Sequence, residues 1–170
     1  MRRAVTFELD GTLADTIADV SVAINQSLAC RDLPLHDSAE YRSMVGDGFR
    51  LLVMRVLPPQ LRGEVTIEEL RAEAIACYAE HCLDLTTPNP GVPELLAFLA
   101  ERGVARTVLS NKPNELSLKV VSGLFAQDPS PPSAGRRLPF RASLIHLRPS
   151  TVRRNSVCPR SRLFTYAIQT

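Results

Sequence analysis

The sequence predicts an α/β fold, a parallel sheet core interrupted by a helical insertion. Three observations carry this. A short β-prone run opens the chain, helical periodicity follows from Asp15 to about residue 85, and a helix followed by a second strand returns at 92–109. That order places both strands in one parallel sheet whose C-terminal edge carries the site.

Val5, Phe7 and Leu9 alternate with polar neighbours, and Asp10-Gly11 supplies a turn, so residues 4–9 read as the first strand. From Asp15 the period changes: Ile17, Val20, Ile24 and Leu28 recur every three or four residues. Further helical runs are expected around 38–44, 48–57 and 67–83, punctuated by Pro58-Pro59 and Gly63. Thr66 with Glu69 three residues later predicts a capping-box start for the longest helix. Pro88-Asn89-Pro90-Gly91 breaks the chain. Val92, Leu95, Leu96 and Leu99 then mark an amphipathic helix closed by Gly103, and Val104 to Leu109 read as the second strand.

Beyond Phe125 the pattern fails. Residues 128–170 hold six Pro, six Ser and eight Arg, with a short apolar run from Ala142 to Leu147 and one short strand expected at 163–168. Residues 1–128 contain all 18 acidic residues against 12 Lys and Arg, a balance of −6. The remaining stretch has eight Arg and no acid, a balance of +8. Such a break is what a shift into another reading frame would produce. The expected organisation is a core from 1–14 and 86–127, a helical cap at 15–85, and an Arg/Pro/Ser-rich tail at 128–170.

With 170 residues, 45% hydrophobic and 22% charged, the chain can bury one sizeable core. No stretch approaches the apolar length of a membrane span, and a cytoplasmic location is the expectation. Cys30, Cys77, Cys82 and Cys158 show no disulfide spacing, which fits a reducing compartment. Cys77, His81 and Cys82 share a helical face as conceivable soft ligands, but without a second ligand pair they read as core residues.

Two acidic residues at i and i+2 beside a Gly turn, at the end of a strand, suit phosphoryl transfer. Such chemistry needs a nucleophilic carboxylate, a cation to neutralise phosphate, a second acid near the leaving group, and exposed amides for the phosphate oxygens. The stretch Phe7-Glu8-Leu9-Asp10-Gly11-Thr12 closely resembles the first motif of the haloacid dehalogenase superfamily, Asp-x-Asp-Gly-Thr after an apolar strand. Val108-Leu109-Ser110-Asn111-Lys112-Pro113 resembles its second motif, and the Asn-Lys-Pro continuation is similar to phosphoglycolate phosphatases. Val45-Gly46-Asp47-Gly48-Phe49-Arg50 resembles the substrate-facing loop of the cap, and Pro90-Gly91-Val92 the return to the core.

The resemblance covers roughly residues 3–125 and implies a Rossmann-like, haloacid dehalogenase-like core, partial in this chain. It implies a Mg2+-dependent phosphomonoesterase acting on a small phosphorylated metabolite such as 2-phosphoglycolate. In that reading Asp10 is general acid and then base, and Glu8 and Asp10 hold Mg2+. Gly11, Thr12, Gly46, Asp47, Gly48, Arg50, Ser110, Asn111 and Lys112 bind phosphate or substrate.

Two departures bear on activity. Glu8 stands where the family has its nucleophilic Asp, and the extra methylene displaces the carboxylate by about 1.5 Å where productive geometry tolerates about 0.5 Å. Glu8 is therefore assigned to metal binding rather than attack. The family's third-motif lysine and fourth-motif Gly-Asp-x-x-x-Asp turn are not found: no lysine follows Lys119, and Asp128 is the only acid after Glu115. Lys112 belongs to the second motif, and Arg136 and Arg137 lie in a segment without readable structure. The phosphate site is thus expected to lack its cation partner and to bind Mg2+ weakly, and the chain is expected to be an impaired phosphatase.

Two other classes remain open. One is a catalytically inactive remnant that borrows a partner. The other is a nucleic-acid binder using eight arginines interleaved with Phe140, Phe164 and Tyr166, against which the plainer reading is a tail that builds no core. Oligomeric state is not legible.

Overall fold

A computed structural model describes residues 4–126 and, further on, the short strands at 141–142 and 163–165. The chain divides into two compact units, Met1–Ala14 with Pro88–Thr170, and Asp15–Thr87.

The first unit is built on a four-stranded parallel sheet in the order β5-β4-β1-β6. β1 (Ala4–Phe7) lies inside it and pairs with β4 (Ala105–Val108), Ala4 opposite Ala105 and Phe7 opposite Val108. The expected strand at 4–9 is shorter because Leu9 turns its carbonyl to the Gly11 turn instead of the ladder, accepting from Leu13 N at 3.0 Å and Ala14 N at 3.1 Å. The outer strands, β5 (Arg141–Ala142) and β6 (Leu163–Thr165), come from the region where a single short strand, at 163–168, is expected. β6 falls inside the strand expected at 163–168, and residues 166–168 lie outside the described ones. The Arg-rich and aromatic readings of 127–140, 143–162 and 166–170 likewise lie outside the described residues.

Between β1 and β4 runs α5 (Val92–Glu101), whose Val92 and Leu96 are buried. Gly103 ends it at φ 61°, and the closing pattern is complete: Gly103 N donates to Ala100 O at 2.9 Å and Val104 N to Leu99 O at 3.0 Å. A side chain at that left-handed position would be strained. α6 (Asn114–Phe125) follows β4 and buries Leu116, Val120, Val121 and Phe125 at helical spacing.

The second unit is helical, with α1 (Ile17–Ala29), α2 (Ser38–Met44), α3 (Phe49–Val56), a 3-10 turn at Pro59–Leu61, and α4 (Glu64–His81). Two short strands, β2 (Ala14–Asp15) and β3 (Thr87–Pro88), stand at its ends in sequence. Val20, Ile24 and Leu28 of α1 and Ile67, Leu70, Ala74 and Tyr78 of α4 are buried. Each such large side chain contributes roughly 1.5–3 kcal/mol of burial. Tyr41, fully buried, donates its hydroxyl to Asn25 Oδ1 at 2.9 Å, and burial pushes its phenol well above the ordinary value.

The capping box predicted at Thr66 is not formed. α4 starts earlier, on Gly63, and Ile67 N already donates to Gly63 O at 3.0 Å, so Thr66 is inside the helix and cannot cap it. The box instead opens α2: Glu40 N donates to Asp37 Oδ1 and Asp37 N to Glu40 Oε2, both at 2.8 Å. Cys77, His81 and Cys82 do not converge as ligands. The Cys77 thiol donates to Gln26 Oε1, His81 pairs with Asp84, and Cys82 is buried.

Arg31, in the turn just past α1, pairs with Glu73 of α4, and the guanidinium's hydrogen bonds hold the Glu73 carboxyl below its ordinary value of 4.5. A lowered carboxylate contributes stability above its unfolded value and loses it as pH falls through the folded one. Glu73→Gln is therefore expected to cost about 0.2–1 kcal/mol at neutral pH, the range for an exposed pair. In thermal melts of both proteins at decreasing pH from 7, the difference should shrink once the pH falls below the ordinary carboxylate value. No described helix is long and apolar enough to cross a membrane.

Candidate active site at the strand ends

The parallel register assembles this site. Because Phe7 pairs with Val108, the residues leaving β1 and those leaving β4 emerge side by side, and Leu109 N donates to Phe7 O at 2.8 Å across the gap. Glu8 and Asp10 therefore meet Ser110 and Lys112, four side chains from segments about a hundred residues apart in sequence.

The Asp10 side of the site is held by a tight turn. Gly11 adopts φ 76°, its N–H reaches Ala14 O at 2.8 Å, and Thr12 N approaches Leu9 O at 3.3 Å. Asn89 braces this turn from the far side: its side-chain amide donates to Thr12 O at 2.9 Å and its backbone N–H to Leu13 O at 3.0 Å. Sequence reading took Asn89 only as part of a breaker cluster. An Asn between two prolines, a residue able to satisfy a neighbouring loop's carbonyls, was the available signal.

Glu8 is half-buried. Burial pushes its carboxyl above the ordinary value, a hydrogen bond from the Ser110 hydroxyl and backbone amides pull it back, and the Asp10 charge adds to the rise. Ser110 is itself only 2% exposed, and its Oγ accepts from Lys112 N at 3.2 Å. Lys112, assigned by its motif to phosphate or substrate binding and not to the third-motif lysine's role, is the most informative side chain. Lys112 is buried, and its Nζ lies 3.0 Å from Asp10 Oδ1. The phosphate site is expected to lack the third-motif cation, and the ammonium found beside Asp10 comes instead from the second-motif loop. Its backbone is fixed as well, since Ser117 at the start of α6 directs its hydroxyl to Lys112 O at 3.4 Å and Pro113 O at 3.2 Å.

Glu8, Asp10, Gly11, Thr12, Ser110, Asn111 and Lys112 all belong to the first unit. Gly46, Asp47, Gly48 and Arg50 belong to the helical one, where Gly46 and Gly48 adopt φ 122° and 86°. The charges there are engaged locally: Asp47 pairs with Arg55, and Arg50 with Glu64 and Glu68. Among the described residues, no group of three or more His, Cys, Asp or Glu side chains converges to hold a metal ion.

This geometry can be set beside known proteins. The chain is 39% identical over 112 residues to the N-acetylmuramic acid 6-phosphate phosphatase of Pseudomonas aeruginosa, covering 65% of this chain and 49% of that protein. It is 36% identical over 135 residues to the phosphoglycolate phosphatase of Rhodospirillum rubrum, covering 76% of this chain and 56% of the relative. A crystal structure from Lactobacillus delbrueckii subsp. bulgaricus, assigned as a phosphoglycolate phosphatase, superposes with a TM-score of 0.68 at 26% identity. It matches 75% of this chain and 63% of its own. The chain thus spans about half the length of the curated relatives it matches. Residues 2–126 match the family model for haloacid dehalogenase-like hydrolases, and the chain belongs to that family.

Proposed function

We propose that this chain is a phosphomonoester hydrolase of the haloacid dehalogenase type, acting on a small phosphorylated metabolite, with 2-phosphoglycolate the first candidate. The observation that carries the reading is the convergence of Glu8, Asp10, Ser110 and Lys112 at the ends of two paired parallel strands.

In this reading Asp10 gives a proton to the leaving alkoxide and then takes one from water, with Lys112 fixing its orientation. The Ser110 hydroxyl, Asn111 and the backbone of Gly11 and Thr12 hold the phosphoryl oxygens. Glu8 occupies the nucleophile's position with a side chain one methylene too long. Gly46, Asp47, Gly48 and Arg50 are assigned to substrate binding on the resemblance alone, and an anion reaching Arg50 would compete with Glu64 and Glu68.

Mg2+ fits the donors present, because it takes one or two carboxylates and completes its shell with water and substrate phosphate. Glu8 and the Asp10 backbone carbonyl would hold it, and it would supply neutralising charge to the phosphoryl oxygens. The free thiols of Cys30, Cys77 and Cys82 suit a cytoplasmic setting.

The test is phosphate release from 2-phosphoglycolate and from an aryl phosphate by the purified chain. Slow turnover is expected. Asp10→Asn should reduce it by about 10²–10⁴-fold, the usual contribution of a positioned acid or base, and EDTA should suppress it. A folded chain with no turnover would favour the second reading, a phosphate-binding protein without catalysis, to which the Glu8 substitution points.

A further inference from the structure

We propose that the Lys112 ammonium, paired with Asp10, is a resident cation beside the metal-facing residues Glu8 and Asp10 and that it holds their affinity for divalent metal low. The inference rests on the reading of Glu8 and Asp10 as the metal-facing pair and goes beyond it, by naming the group that sets how strongly they bind.

The Lys112 side chain is 1% exposed and lies 3.0 Å from Asp10, whose side chain is 34% exposed. An ammonium so far removed from water depends on a counter-charge, and Asp10 supplies it. The lysine cannot easily withdraw. Its N–H is bonded to Ser110 Oγ, its carbonyl receives the Ser117 hydroxyl, and Pro113 restricts the backbone that follows. A divalent ion held by Glu8 and the Asp10 backbone carbonyl would feel the repulsion of this positive charge, which is fixed on the same residue's carboxylate. Asp10 would then serve two cations, its carboxylate the ammonium and its backbone carbonyl the metal.

Mn2+ titration followed by electron paramagnetic resonance, on the full chain and on Lys112→Met and Lys112→Gln, tests this without any need for turnover. Both variants are expected to bind Mn2+ at least tenfold more tightly than the wild type, and adding Asp10→Asn should cancel the gain. Circular dichroism melts identify folded variants, and Lys112→Gln decides the matter if Lys112→Met does not fold. Equal or weaker affinity in the folded variant would overturn the proposal alone, since Lys112 would then be organising Asp10 for the metal. Absence of Mn2+ binding in wild type and variants alike would overturn the metal-facing reading as well.

Discussion

Glu8→Asp is expected to accelerate phosphate release by about two orders of magnitude, chiefly in kcat. Attack on phosphorus requires the nucleophilic oxygen in line and at near-contact distance, and a misplacement of about 1 Å can cost about 100-fold. Glu8 is one methylene longer than the residue the family's first motif places there, and its carboxylate accepts a hydrogen bond from the Ser110 hydroxyl. A hundredfold gain corresponds to about 2.7 kcal/mol of activation free energy, well within what one shortened side chain can return. KM should change little, because in the proposed reading the phosphate is held by Gly11, Thr12 and Ser110, which both proteins share. The measurement is a steady-state comparison of wild type, Glu8→Asp and Glu8→Gln on the same phosphoester, with Glu8→Gln slower than either. If Glu8→Asp is no faster than wild type, the unmatched third and fourth motifs limit the reaction, and the methylene is incidental.

The same region shows what could be read from sequence and what could not. The alternation of Val5 and Phe7 and the Gly turn after Asp10 are local signals, and they located the strand end and its two carboxylates. Ser110 was legible for the same reason, as a polar residue just past an apolar strand. The link from Lys112 to Asp10 was not, because it depends on the β1–β4 register across about a hundred residues, and register is a property of the folded sheet. Capping illustrates the limit at short range. Asp37-x-x-Glu40 and Thr66-x-x-Glu69 fit one pattern equally well, yet only the first sits where the chain enters a helix, since Gly63 had already started the other. In the helical unit, periodicity identified α1 and its buried face. Nothing in the sequence indicated that its first-turn acid, Asp19, has partners 66 and 67 residues away.

Asp19→Ala should therefore be the most damaging truncation of a polar side chain argued for the helical unit. Asp19 is 3% exposed, and its carboxylate collects four hydrogen-bond contacts where the chain leaves the last helix. Leu85 N approaches Oδ1 at 3.0 Å and Oδ2 at 3.1 Å, while Thr86 N and Thr86 Oγ1 reach Oδ2 at 2.9 and 2.7 Å. A carboxylate is well suited here, because it stands in the first turn of α1, where the helix dipole favours negative charge, and it accepts without needing to donate. Removing it strands the Thr86 N–H and hydroxyl in a buried setting, where each unsatisfied group costs about 1–3 kcal/mol. The expected loss is about 3 kcal/mol, which for a unit of this size lowers its melting temperature by roughly 12–24 °C. Asp19→Asn keeps one acceptor and should lose about half as much, and Thr86→Val, which removes only the hydroxyl, about 1 kcal/mol. Thermal melts of the three variants beside the wild type order these costs. A loss for Asp19→Ala no greater than for Thr86→Val would mean that the backbone amides of Leu85 and Thr86 find water instead, and that the carboxylate is not what closes the helical unit.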